Sequence, residues 1–381
     1  MINTPTYEVN LYLNGVLIGD VRKFAENLSY SRKRTKIGVD SIDFVLNDHL
    51  FNDWCIARNT NINEVLKPLA LECRIKRNGI YIVGGFLATM PAYSPLNKSA
   101  DLTLHFDGFL NLLAGVYIRD TSTNLPLGTV TGPAGNLVSS MISLADGIAS
   151  DAGKAFNFTP GNIENLPNIV HTFDNYKTVK DWICDRCDNT TGAGPFDVYF
   201  YADKTYDILS STHFGDVIKD WVAFYPTLLN NTSITSINAS EIGGFASAVF
   251  GIGSGEISAS PEENTALIGF TINPTMVAEY GYAEKLYQES SVSQADVLQR
   301  NINAELNNSS NPIWQPQITL HGTQVEPKPT GSKKIWVGDT ITINNSLDLT
   351  GMTNGKFRVN ELNVDVSDTG DETINPVLER V

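Results

Sequence analysis

The feature that most constrains this chain is the alternation of apolar and polar residues within short segments that end at turn residues. In YEVNLYL (7–13) and DLTLHF (101–106), apolar residues occupy every second position. Successive side chains of a β-strand point to opposite faces, so this period of two predicts half-buried strands. The segment 71–87 predicts a hairpin about Asn78-Gly79, a pair that tolerates positive φ. Residues 1–118 are therefore predicted to form a barrel-like β domain.

The period changes in the middle of the chain. Apolar residues repeat there at spacings of three and four, which predicts two amphipathic helices. The apolar residues of the first helix are Leu137, Met141, Leu144, Ala145 and Ile148, and those of the second are Val179, Trp182 and Ile183. The segment 197–208 predicts a hairpin about Asp203-Lys204. Residues 119–225 are therefore predicted to form a mixed α+β insert domain.

Strand patterns return in residues 226–381, which are predicted to form a second barrel-like β domain. A helix is predicted over 293–307. Further along the chain, turns are predicted at Gly338-Asp339 and at Asn354-Gly355, with a strand on each side of each turn. The fold class is thus mainly β with an α+β insert: two barrel-like β domains plus a mixed insert domain. This order does not resemble an α/β nucleotide-binding sheet.

Composition limits the classes of function. The chain has 381 residues, of which 42% are hydrophobic, so it can bury a core without disulfide or metal staples. Four cysteines suit a reducing compartment, and neither a signal peptide nor an apolar run of roughly 18 residues is found. The net charge of −15 argues against stable nucleic-acid binding, which needs clustered basic residues.

One local exception to the acidic balance is SRKRTK (31–36). A short run of charges is usually a solvated turn. Alternatively, Arg32, Lys33 and Arg34 contact a partner, because they are the strongest basic run of an otherwise acidic chain.

Motifs for catalysis or metal binding are weak. Cys184 and Cys187 have the spacing of a metal or redox pair, but no second pair follows, so core thiols are the favoured interpretation. The glycines of 251–255 fit a strand junction better than a phosphate loop. Asp368-Thr369-Gly370 occurs once, whereas an aspartic protease needs two copies. The five histidines are scattered. No enzyme class, cofactor or metal site is predicted.

The order of several phrases resembles the tail-hub or baseplate-hub proteins of long-tailed phages and related injection devices. In the first β unit these are LSYSRKRTKIGVDSIDFVL (28–46), CRIKRNGIYIVGGFLATM (73–90) and FDGFLNLLAGVYI (106–118). In the insert they are YKTVKDWICDRC (176–187) and FDVYFYADKTYDI (196–208). In the last part they are AVFGIGSGE (248–256), SQADVLQRNINAEL (293–306), KKIWVGDTITI (333–343) and FRVNELNVDV (357–366).

This resemblance implies a homotrimer in the virion tail, assembled in the host cytoplasm, whose two barrel-like domains per chain give a pseudo-sixfold ring. The implied partners are the distal tail or tail-tube ring, the tape-measure protein and tip or fibre proteins, with DNA only in transit and no membrane segment. It also implies a short form without an adhesion or lysin extension. Replacing Arg32, Lys33 and Arg34 by Ser is then expected to weaken assembly and to leave folding intact.

A receptor- or glycan-binding module is the alternative from another class. It would use exposed aromatic residues such as Trp54, Trp221, Trp314 and Trp336. Tryptophan is more often part of a core, which is the simpler interpretation of these residues.

Overall fold

The computed structural model describes residues 5–91, 101–173, 175–187, 196–211, 217–218, 234–241, 245–257, 264–290, 292–309, 314–321, 335–343 and 355–380. The predicted fold class, mainly β with an α+β insert, is confirmed. Within the described ranges, no helix is both long enough and apolar enough to cross a bilayer.

The first part of the chain is built from strands with two short helices between them. These elements are β1 (Tyr7–Leu13), β2 (Val16–Asp20), β3 (Ala25–Lys33), β4 (Ser41–Asn47), α1 (Asp48–Ile56), α2 (Ile62–Val65), β5 (Leu71–Arg77), β6 (Ile80–Leu87) and β7 (Asp101–Gly108), with 3₁₀ helices at Arg22–Phe24 and Phe109–Gly115. The hairpin predicted at Asn78-Gly79 is confirmed, with φ of 51° and 78° at the two turn residues. Helix α1 was not predicted; the Asn47 side chain accepts a hydrogen bond from the Leu50 N–H at its start.

The insert contains β8 (Gly128–Pro133), α3 (Ala134–Asp151), β9 (Thr159–Ile163), β10 (Asn168–Phe173), α4 (Val179–Cys187), β11 (Phe196–Phe200) and β12 (Thr205–Ser210). Both helices predicted from the spacing of apolar residues are confirmed, and their apolar faces pack in one core with β11 and β12. The predicted hairpin is also confirmed: β11 and β12 pair antiparallel, and Lys204 in its turn has a φ of 67°.

The remaining elements are β13 (Val217–Ile218), β14 (Ile234–Glu241), β15 (Ala248–Ile252), β16 (Ile268–Ile272), α5 (Pro274–Tyr280), β17 (Glu284–Gln288), α6 (Ala295–Ser309), β18 (Trp314–His321), β19 (Thr340–Ile343), β20 (Gly355–Val366) and β21 (Glu372–Arg380). The helix predicted at 293–307 is confirmed as α6. The turn predicted at Gly338-Asp339 is confirmed: the Asp339 carboxylate accepts the Trp336 N–H at 2.7 Å, and β19 begins at Thr340. Residue 354 of the other predicted turn lies outside the described residues.

One large sheet contains strands from both ends of the chain. Its order is β14-β18-β21-β20-β3-β4-β7-β6-β5-β1-β2, and β19 pairs with β20 and with β13. Although β21 and β1 lie far apart in this order, Tyr7 of β1 donates a hydrogen bond to Glu372 of β21. The sheet therefore curves until strands distant in its order touch. A closed barrel is not shown.

Strand β20 connects the C-terminal strands to the N-terminal ones. Two strands pair with the same edge of β20: β19 pairs with Gly355 to Arg358, and β3 pairs with Glu361 to Val366. The register against β21 shifts at Asn360, which lies between these two stretches. A β-bulge of this kind changes the direction of a strand, and here it lies where the pairing strand of β20 changes from β19 to β3.

The described residues form three hydrophobic cores beneath these elements. The largest is lined by residues from both chain ends, including Leu11, Phe44 and Phe357. The second is formed by the insert together with Phe86 and apolar residues between 109 and 118, and the third lies between α6 and the small sheet β16-β15-β17. The division at 118 and 225 into two barrel-like units and an insert stays a prediction.

Candidate functional site

The basic segment predicted to contact a partner lies at the end of β3, beside the bulge of β20. The Arg34 guanidinium donates from Nε to Asp197 Oδ1 at 3.1 Å and from its second terminal nitrogen to Asp197 Oδ2 at 2.8 Å. It also donates to Asn360 Oδ1 at 3.1 Å and to Ser211 Oγ at 3.0 Å. The side chains of Arg34 and Asp197 are only 4% and 1% exposed. We call these four residues the junction.

The junction joins three distant parts of the chain. Arg34 follows β3, Asp197 lies in β11 of the insert, and Asn360 is the bulge residue of β20. Two parallel hydrogen bonds between guanidinium and carboxylate fix both direction and distance. Because a buried charge is costly unless it is paired, the ion pair holds the insert against the sheet at one defined position.

The other basic residues of the segment have partners within the chain as well. Arg32 is fully buried, with its guanidinium 4.1 Å from the ring centroid of Trp336 and a hydrogen bond to the Ile82 carbonyl. Lys33 is partly exposed and forms an ion pair with Glu361 at 3.2 Å. The solvated-turn interpretation is therefore wrong for Arg32 and Arg34. A contact of this segment with a partner chain stays a prediction.

Asp40 is a second polar link between the sheet and the insert. Its carboxylate accepts the Lys33 N–H at 2.8 Å and the Tyr199 hydroxyl at 3.1 Å. Burial is the largest influence on this carboxyl and raises its pKa to about 6, although both hydrogen bonds and nearby Arg32 oppose the rise. The group therefore changes charge in mildly acidic solution.

Asp40→Asn is expected to change how stability depends on pH. With its pKa raised from 3.8 to about 6, Asp40 holds more proton in the folded than in the unfolded chain, so its contribution to the free energy of unfolding falls as the pH rises through that window. The loss is at most about 3 kcal/mol. Measured by urea unfolding, the variant should therefore gain stability relative to the wild type between pH 4 and pH 7.

The exposed carboxylate of Asp53 provides the matched control. Asp53→Asn removes the same charge from the acidic chain without touching the sheet or the insert. If Asp40→Asn and Asp53→Asn give parallel curves of stability against pH, the role assigned to Asp40 is wrong.

A further buried ion pair lies inside the large sheet. Arg77 of β5 donates to Glu372 Oε2 at 2.7 Å, and the Glu372 side chain is fully buried. Tyr7 of β1 also donates to Glu372, and burial, with the nearby Tyr30 and Glu372, raises the pKa of Tyr7 far above its usual value. This cluster joins β1 and β5 to β21 across the concave side of the sheet.

A cleft of about 690 Å³ separates the N-terminal strands from the insert. Small residues form much of its wall, including Gly15, Gly115 and Gly153. At its base, Lys204 forms a buried ion pair with Glu72 at 2.5 Å and donates to the Phe156 carbonyl at 3.0 Å. The volume is within the range of small-molecule sites.

The cysteine pair packs in the core of the insert. Cys187 is buried and Cys184 lies against the same cluster. Burial raises the pKa of both thiols, which disfavours the thiolate that nucleophilic or metal chemistry requires. Among the described residues, no three His, Cys, Asp or Glu side chains are grouped as metal ligands.

The remaining motifs have structural positions. Gly251 lies in β15, and a Cβ there would be 2.4 Å from Ile302 of α6, so the glycine permits close packing of the helix. Asp368-Thr369-Gly370 forms the turn between β20 and β21. His105 lies on the surface between Asp43 and Asp107; burial lowers its pKa, but the hydrogen bonds to these carboxylates outweigh that effect and raise it. His213, another of the five histidines, lies outside the described part.

Two of the four tryptophans named for glycan binding are unsuited to it. Trp54 and Trp336 are buried, so their interpretation as core residues is confirmed, and the exposure that the alternative requires is absent at these two positions. Trp221 lies outside the described residues, and the side chain of Trp314 does too.

Sequence reasoning missed the acidic partners of the buried cations. Asp197 lies in a strand pattern where alternation predicts an outward polar residue, whereas Glu372 shares the inward face of Ile374; both are buried. A local signal was present only in part: Asp197 is flanked by apolar residues on both sides, as in a strand buried on both faces. Their partners are 163 and 295 residues away in sequence, which no local pattern can indicate.

Comparisons with known proteins agree on the fold. No protein-family model and no curated protein matches the sequence. The structure of the tail protein from Neisseria meningitidis MC58 matches with a TM-score of 0.58 and 14% identity, covering 98% of this chain and 96% of that one. The 43 kDa tail protein of prophage MuSo2 from Shewanella oneidensis matches with a TM-score of 0.58 and 11% identity, covering 98% of each chain.

A third similar structure is the prophage tail protein gp18 from Listeria monocytogenes EGD-e, with a TM-score of 0.51 and 10% identity, covering 97% of this chain and 94% of that one. The likeness thus runs along nearly the whole chain in each case. The resemblance predicted from the order of sequence phrases is confirmed at the level of the fold.

Proposed function

We propose that this chain, which has the fold of phage tail proteins, is a structural subunit of a phage or phage-like tail tip. Three copies form a pseudo-sixfold hub ring that joins the tail tube or distal tail ring to the tip. The observation that carries this proposal is the fold likeness to three tail proteins over 97–98% of the chain. A match to a single domain would support the proposal less strongly, because the same domain fold occurs in proteins of unrelated function.

The architecture of the chain suits such a ring. The β strands at its two ends are joined through β20, and the insert is fixed to both by the Arg34–Asp197 ion pair. Because each chain contributes strands from both of its ends, three copies related by rotation can form a closed ring with six similar β positions. The proposed domains are residues 1–118, 119–225 and 226–381.

The proposed partners are the distal tail ring, the tape-measure protein and tip or fibre proteins. The acidic chain repels DNA, which suits a channel that a genome crosses without binding. In this proposal the ring gates that channel in the virion tail, and the protein acts through assembly contacts and not through catalysis.

The mass of the native particle and its image in the electron microscope test the proposal. The expected result is a trimer, seen as a ring with threefold symmetry and a central hole. A protein that stays monomeric at every concentration and has no affinity for tail components would contradict it.

A receptor- or glycan-binding module is the second candidate, and the 690 Å³ cleft is the observation that favours it. Its polar groups Lys154, Lys204 and Asn111 could bind sugar hydroxyls. Binding of the isolated protein to a glycan array separates the two functions. Saturable binding that is lost on replacing Lys154 by Ala would favour the adhesin.

A further inference from the structure

The small sheet β16-β15-β17 has two faces of opposite character. Strand β15 pairs antiparallel with β16 and parallel with β17, so Phe250 lies beside Phe270 and Leu286. Neighbouring positions on adjacent strands share a face, and residues two apart share it too. One face therefore carries Phe250, Ile252 and their neighbours, and the other carries the glycines between them.

Helix α6 covers the glycine face. A Cβ at Gly251 would be 2.4 Å from Ile302 Cγ2, and one at Gly269 would be 3.0 Å from Ile302 Cδ1. The helix thus lies directly on the backbone of the sheet, where larger side chains would push it away. Lys285 on the same face forms an ion pair with Glu305 of α6 at 2.5 Å.

The large apolar residues are on the opposite face, which we call the outer face. Ile268, Phe270, Ile272 and Leu286 are 51%, 47%, 41% and 55% exposed. A sheet with one covered side normally turns its large apolar residues towards the cover and its small or polar residues towards solvent. Here the covered face carries Val249 and Tyr287, which pack with α6. The outer face is apolar as well, so it has the composition of a buried surface.

The size of the outer face matches the centre of a protein interface. With roughly 200 Å² for each large apolar residue, the four exposed fractions leave about 400 Å² of apolar surface. Apolar patches this large on a monomer are often functional. A stable interface buries roughly 800 Å² on each partner, with an apolar centre and a polar rim. Glu284 and Gln288 of β17, at the ends of this face, can supply part of such a rim.

We propose that the outer face packs against a neighbouring copy of this chain, which rests on the proposed function and assigns one contact of the trimer. Two chains of net charge −15 repel each other, so they associate best through surfaces without charged residues. The centre of the outer face has none. Covering an apolar surface of this size is favourable, and another copy is present wherever the chain is made. Interfaces between permanent partners resemble a core cut in half.

The double variant Phe270→Ser/Leu286→Ser tests the proposal by sedimentation velocity over a range of protein concentrations. Both side chains are about half exposed, so the monomer should fold as the wild type does. Central apolar residues dominate interface energies, and the dissociation constant is expected to rise at least about 100-fold. The matched control is Leu125→Ser/Val170→Ser, which removes exposed apolar residues of the insert and should leave association unchanged.

The outcomes separate the contact from the function. If the wild type is monomeric throughout, the trimer and its proposed function fail together. If the wild type associates and both double variants associate equally, only the role of the outer face is wrong. Hydrogen exchange of the wild type gives a test without mutation: the amides of β16 and β17 should be protected at high concentration and lose that protection on dilution. Equal exchange at both concentrations would overturn the proposal.

Discussion

Replacing Arg34 by Met is expected to lower the free energy of unfolding by about 3–5 kcal/mol, the usual effect of leaving one charge of a buried ion pair without its partner. Asp197 would then keep a buried carboxylate with Ser211 as its remaining side-chain partner at the junction. Because the ion pair joins the insert to the large sheet, the same variant should expose the amides of β11 to hydrogen exchange. Urea unfolding and hydrogen exchange measure the two effects.

The adjacent residue provides the control. Lys33→Met breaks the partly exposed ion pair with Glu361 and should cost no more than about 1 kcal/mol. In Arg34→Met/Asp197→Asn, the buried charge is removed together with its partner, so the double variant should be less destabilised than the sum of the two single variants. Additive effects, or equal effects at positions 33 and 34, would show that the junction is not held by this ion pair.

The burial of Arg32 and Arg34 also changes the expected effect of the triple Ser variant. From the sequence alone, replacing Arg32, Lys33 and Arg34 was expected to leave folding intact. Since Arg32 and Arg34 are buried and bonded within the chain, the triple variant is expected to lose stability. A loss of assembly in that variant would then reflect impaired folding and would not show that the segment contacts a partner. Lys33→Met alone is the cleaner probe of partner contact.

Arg77→Met is expected to destabilise the chain by a similar amount, about 3–5 kcal/mol, through the sheet rather than the insert. Glu372 would be left as a fully buried carboxylate, with Tyr7 as a hydrogen-bond donor. A buried carboxylate without a cation favours its protonated form. The difference in free energy of unfolding between the wild type and Arg77→Met should therefore become smaller as the pH falls. Urea unfolding of the variant and the wild type at pH 8 and at pH 5 measures that change.

The neighbour Lys76 again offers a matched control. Its ion pair with Glu8 is partly exposed, and Lys76→Met should cost less than about 1 kcal/mol at either pH. A deficit for Arg77→Met that does not vary with pH would indicate lost packing of the long side chain and would contradict the assigned role of the charge.

Local patterns predicted most regular elements because their cause is local. The period of two in 7–13 and 101–106 is a direct consequence of how a strand places its side chains, and β1 and β7 formed there. The spacing of three and four predicted α3, α4 and α6. Helix α1 carries the same signal, since Phe51, Trp54 and Cys55 are buried at spacings of three and four, but it is short and lies among residues whose alternation predicts strands.

The candidate site could not be predicted in the same way. The basic run at 32–34 was visible, yet whether each side chain pointed to solvent or to a carboxylate depended on residues far along the chain. Alternation even indicated the wrong side for Asp197, because a strand buried on both faces has no polar face. Sequence similarly showed glycines in 251–255 but not the helix that packs on them.

The sequence by itself thus determined the kind of those elements whose apolar period is clear, and the order β, α+β, β, because backbone geometry imposes its period on neighbouring residues. Only the tertiary structure decided that β20 lies beside β3, that Arg34 faces Asp197, and that the small sheet turns Phe270 outward. These choices depend on which distant surfaces bury the most apolar area and satisfy the most buried charge at once. That balance belongs to the whole chain, so it has no counterpart in any short segment.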